Sequence, residues 1–140
     1  MNNIQTFLLI GAIVIGGFLI YLMLDNPFDS KASARVFFIE PKDGEIVSNP
    51  VQLKWDAENF VIEPAGEFRE SAGHLHIIID SPCVDVGSVI PADDSHLHFG
   101  GGQTETELQM TPGEHQICLQ MGDGLHRALS LTQEITITVQ

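Results

Sequence analysis

After Leu24 the sequence repeatedly alternates apolar and polar residues with a period of two, and no helical period interrupts it. Val51 to Trp55 reads VQLKW, Thr104 to Met110 reads TETELQM, His115 to Met121 reads HQICLQM, and Thr132 to Val139 reads TQEITITV. Successive side chains of a strand point to opposite faces, so Val51, Leu53 and Trp55 belong on one side with Gln52 and Lys54 on the other. Ile135, Ile137 and Val139 likewise turn inward. Val36 to Glu40 adds a strand ahead of the Pro41–Gly44 turn. The Thr111–Glu114 Pro-Gly turn predicts a hairpin joining 104–110 to 115–121. Residues 57–72 and 122–130 read as loops. Several short strands with Pro and Gly punctuation predict an antiparallel β-sandwich.

The stretch from Gly73 to Glu105 carries the chemistry. It opens as GHLHIIID and returns as HLHFGGGQTE, and so holds four of the six histidines. His74 and His76 share one strand face, as do His96 and His98, so paired strands would gather four imidazoles. Imidazole suits zinc and copper, which makes these four a candidate metal set, with His115 and His126 nearby in sequence. The competing expectation is structural, with each histidine facing a carboxylate such as Asp80, Asp93 or Glu105, or a backbone carbonyl. Gly100 to Gly102 is no phosphate loop, because no helix start and no lysine follows; flexibility or close chain approach at a strand end fits it better.

These motifs, with PGEHQICLQMGDGLHRAL and the closing EITITV, resemble a bacterial family of unknown function, domain-of-unknown-function family 4399. The resemblance runs over residues 35–140. It implies an immunoglobulin-like β-domain outside the cytoplasm and assigns no activity. Family members often carry three consecutive histidines where this chain has His74, Leu75 and His76. In an oxidising compartment Cys83 and Cys118 can form one intramolecular disulfide tying two β-segments, which the loop-entropy model values at about 3 to 4 kcal/mol. Two free thiols are the alternative.

Residues 7–24 form an apolar run without charge or proline, long enough to cross a ~30 Å hydrocarbon core. They predict a single transmembrane helix as an uncleaved anchor, against a signal peptide cut near residues 32–34. Met1 to Thr6 lacks the basic residues a signal peptide carries, and the charged spacer DNPFDSK is long for one. The expected arrangement is an anchor over 1–24, a linker over 25–34 and a β-domain over 35–140. The N-terminus is expected inside the cytoplasmic membrane and the domain outside. Ala12, Gly16 and Gly17 give the helix a small-residue face for packing against another helix.

The net charge is −13, and all 19 acidic and 6 basic residues follow Leu24. Such a surface excludes nucleic acid and anionic lipid headgroups as partners, since both attract clustered Lys and Arg. No serine lies in a strained nucleophile elbow, so no enzyme is expected. Two function classes remain. One is a membrane-anchored interaction module, an accessory subunit of a membrane complex; the other is a tethered copper- or zinc-binding domain.

Overall fold

The computed structural model describes residues 13–15, 18–20 and 32–140, and the chain divides into two units, Met1–Lys31 and Ala32–Gln140. Within the first, β1 (Ile13–Ile15) pairs antiparallel with β2 (Phe18–Ile20). The rest of the expected anchor lies outside the described residues, including Ala12, Gly16 and Gly17. Among the described residues no helix is long and apolar enough to cross a membrane.

The second unit is all-β. Its strands are β3 (Arg35–Glu40), β4 (Ile46–Val47), β5 (Val51–Glu58), β6 (Val61–Ile62), β7 (Ala72–Ile79), β8 (His96–His98), β9 (Glu105–Leu108), β10 (Gly113–Gly122) and β11 (Ala128–Val139). One sheet runs β4-β11-β10-β7-β6, with β8 also paired to β7, and a smaller sheet runs β3-β5-β9. The two sheets share a single core. Val36 and Phe38 of β3 and Val51, Leu53 and Trp55 of β5 meet Leu75, Ile77, Ile117, Leu119, Met121, Ile135, Ile137 and Val139 of the larger sheet. Val51, Leu53, Ile77, Ile117, Leu119 and Ile137 are fully buried, and the period-two alternation aims them all inward.

Three local expectations change. The strands over 104–110 and 115–121 do not form a hairpin: β9 pairs with β5, and β10 with β7 and β11. Asn49 explains the separation, because its side chain accepts from Met110 N and donates to Met110 O, holding the chain on the smaller sheet just before Thr111. The sheets are also not wholly antiparallel, since the two-residue strands β4 and β6 join β11 and β7 in parallel. Residues 57–72 therefore contain a strand, β6, and 122–130 contain the start of β11.

Candidate metal centre

β7 is buried on both faces. Leu75 and Ile77 enter the core, which sends His74, His76 and Ile78 to the opposite face of the larger sheet. On β10 the residues opposite them are Gly122, Gln120 and Cys118, and on β8 His98 lies opposite His76 and His96 opposite Ile78. That register decides which histidines meet. His96 thus stands two positions along the pairing from His98, on the side away from His74.

The cluster that forms is His74, His76, His98 and His126. His76 Nε2 lies 3.0 Å from His74 Nε2, and His126 Nε2 lies 3.1 Å from His98 Nε2. Ring centroids of His74 stand 4.8, 4.9 and 4.8 Å from those of His76, His98 and His126. One ring nitrogen from each of His74, His76 and His98 lies within 4.8 Å of the other two. His74 and His76 are buried at the base, and His98 is exposed at the mouth beside the half-buried His126.

Two glycines make the space. A Cβ on Gly100 would fall on the His98 ring, and one on Gly122 would meet His76 Nε2 at 3.0 Å. The triple-glycine run thus serves close approach, with the approaching group a side chain of its own motif.

His126 reaches the cluster from the short loop between β10 and β11, in the left-handed region at φ 66°. Asp123 builds that loop. Its carboxylate accepts from the backbone N–H groups of Leu125 and Arg127 and from Arg127 Nε, while His126 N donates to its carbonyl. Burial pushes the Asp123 carboxyl up, but the Arg127 and Leu125 amides and the Arg127 side chain outweigh it and hold it below its ordinary value. In sequence the hint was the Asp-Gly turn of GDGLHR, whose side chain can bond its own backbone two residues on.

Three of these imidazoles, His74, His76 and His98, favour the neutral form. Burial, then the charges His126 and His98 would carry, lowers His74 to about 4, and burial followed by the neighbouring histidines lowers His76 to about 3. His98 is lowered by burial and then by His126. Among the described residues no carboxylate hydrogen-bonds any of the four rings, and the Nδ1 atoms of His74 and His76 are the buried side-chain polar atoms without a partner. In a contact between two Nε2 atoms one ring donates and the other accepts, so whichever tautomers are present, one Nδ1 is an unmet acceptor and the other an unmet donor. Leaving such groups unmet costs free energy, about 1 to 3 kcal/mol each.

His96 and His115 behave as the structural expectation described. His96 Nδ1 sits 2.7 Å from Asp93 Oδ1. His115 lies between Asp80 Oδ2 at 2.8 Å from Nδ1 and the Thr111 carbonyl at 2.8 Å from Nε2, so both ring nitrogens face acceptors. Its pKa is raised, first by the Thr111 carbonyl and, against burial, by Asp80.

A family model described as Domain of unknown function (DUF4399) matches residues 53–140. The chain belongs to this family. The match takes in β5 to β11 apart from the first two residues of β5, and with them all four clustered histidines, Gly100, Gly122 and both cysteines. No curated protein and no solved structure matches the chain.

The remaining wall of the site is the segment after β7. Cys83 and Cys118 form a disulfide with Cα atoms 5.7 Å apart. From that bond the chain runs over the histidine-bearing face: Val84 N donates to Gln120 Oε1, and Gln120 Nε2 donates to Val84 O. Gly87 N donates to Ala128 O, Ala128 N to Ser88 O, and Ile90 N to His126 O. Ile90, only 4% exposed, brings its Cδ1 to 3.5 Å from where a Gly122 Cβ would stand, next to His76.

Proposed function

We propose that this DUF4399 chain is a non-catalytic metal-binding module that takes copper or zinc through His74, His76, His98 and His126. The observation that carries this reading is the convergence of four imidazoles whose nitrogens face one another and no carboxylate. With metal–nitrogen bonds of about 2.0 to 2.1 Å, nitrogens stand about 3.3 Å apart in a tetrahedral shell and about 2.9 Å apart in a square one. The 3.0 and 3.1 Å contacts lie between these values. A cation would also give the facing nitrogens a common partner, replacing a contact in which one lone pair must find a proton on its neighbour. The domain is placed, in this reading, as an immunoglobulin-like unit outside the cytoplasm on a single-pass anchor; the apolar run over 7–24 and the disulfide support that location.

Titration calorimetry of the full chain with Zn(II) and Cu(II) tests the assignment. One-to-one binding should be abolished by His76→Ala and by His126→Ala, and retained by His96→Ala. Absence of binding, or equal dependence on His96, would refute it.

A second reading, an interaction module within a membrane complex, draws on apolar side chains left on the surface. Phe68, Val86, Val89 and Leu125 are all more than half exposed. Gentle purification of the full chain from its native membrane should then bring one partner in fixed ratio, and isolation of the chain alone would count against it.

A further inference from the structure

The cover beside the histidines is attached to the domain by hydrogen bonds to Gln120 and to 126–128 and by one covalent bond. Cys83 closes onto Cys118, whose sulfur is on the same face of the larger sheet as His76 and two residues up β10 from Gln120. Gln120 then fixes Val84, and residues 87–90 lie antiparallel to 126–128, with Val89 bridged to Arg127. The hydrogen bond from Ile90 N to His126 O, 2.9 Å, makes the cover a support for one of the four imidazoles, and the Ile90 side chain stands beside a second, His76. The hydrophobic core lies on the other face of β7 and β10 and does not include this segment.

From this arrangement we infer that the Cys83–Cys118 disulfide is a latch that sets the metal affinity of the histidine site, which opens and releases its metal when the bond is reduced. The inference rests on the metal-binding reading above. Reduction by a dithiol is the chemical step. A thiolate of the reductant attacks the part-exposed Cys83 sulfur, the Cys118 sulfur leaves and takes up a proton, and the second reductant thiol resolves the mixed disulfide. Two electrons and two protons pass to the protein, which ends with two thiols, and the reductant ends as a disulfide. Without the bond, Val84 and Ile90 are held by hydrogen bonds and packing alone. The cover then opens part of the time, water reaches His76, and His126 keeps its bond to Asp123 O but loses the one from Ile90 N. Cys83, Val84 and Ile90 are thus positioning residues for the site.

The test uses the full chain and Zn(II) as the probe, because copper reacts with thiols, with affinity read by chelator competition and cover opening by hydrogen exchange. The oxidised chain is compared with the reduced chain, freed of reductant, and with Cys83→Ser/Cys118→Ser. Zinc should bind at least tenfold more weakly in both altered forms. Amides of 84–90 and 126–128 should exchange faster, while those of β3 and β5 stay as they were. Should the double variant fail to fold, Ile90→Ala with the disulfide intact decides: it should weaken zinc several-fold, and Ile90→Leu should restore it. Affinity within twofold of the oxidised chain, or tighter binding after reduction through the new thiols, overturns the latch while leaving the metal reading in place. If the oxidised chain binds neither Zn(II) nor Cu(II), the metal reading fails and the latch fails with it.

Discussion

Acid should weaken the metal-free domain by an amount set by two buried imidazoles. His74 and His76 are 0% and 1% exposed, and burial, with neighbouring imidazoles adding to it, holds them at about 4 and about 3. Between pH 7 and pH 5 both therefore stay neutral in the folded chain, whereas in the unfolded chain each titrates near ~6.5. The unfolded state binds more protons over this interval, so stability falls as pH falls. Integration gives roughly 2 kcal/mol per histidine, about 4 kcal/mol for the pair, a large share of the ~5 to 15 kcal/mol that holds a typical domain folded. His115 acts in the opposite sense, since its raised pKa makes protonation favour the fold, and it reduces the net change. Comparison with His76→Leu cancels that contribution. The variant should lose about 2 kcal/mol less than the parent chain between pH 7 and pH 5. Urea unfolding of the chelator-treated full chain in mild detergent, followed through the buried Trp55, measures both losses. Equal losses in the two proteins would refute the reasoning, because His76 would then not be held neutral by its surroundings.

Gly100→Ala should leave the fold nearly unchanged, because the exposed His98 ring can swing away from the new methyl group, yet zinc affinity should fall at least tenfold. Paired urea and zinc titrations check this, and a loss of stability without a loss of affinity would count against the role given to Gly100. His115→Gln should destabilise the domain most below about pH 6.5, where the imidazolium is favoured by Thr111 and Asp80. The difference from the parent chain should shrink as pH rises through the raised folded pKa, and a pH-independent difference would contradict the ionic assignment.

Much of the fold was legible because alternation is a local signal. Val51, Leu53, Trp55, Ile135, Ile137 and Val139 point inward as their spacing requires. The sheet partner of β9 was not legible, since a Pro-Gly turn looks alike whether it reverses a chain within one sheet or carries it to another; here Asn49, 61 residues away, decides. At the site, the strand period paired His74 with His76, but membership of the cluster depends on register. Antiparallel pairing opposite His76 selects His98 and displaces His96 to a position facing Ile78. His126 enters from a loop shaped by the buried Asp123, and alternation says nothing about loops.

The two-residue strands β4 and β6 and the three-residue β8 contribute little to the core, but their placement has a consequence for behaviour at high local concentration. The free side of β7 is covered in succession by β6 along Ala72–Gly73 and by β8 along His76–Ile78, and β4 pairs with Thr138 and Val139 at one end of β11. Long, flat strand edges are templates on which a second chain can add its own strand, and short edge strands deny that template. In the larger sheet the longest strand ladders, those of β7, β10 and β11, are spent on one another. Crowded copies of this domain are thus denied the edge of β7, and in the larger sheet the side of β11 ahead of Thr136 is the edge left to a second strand.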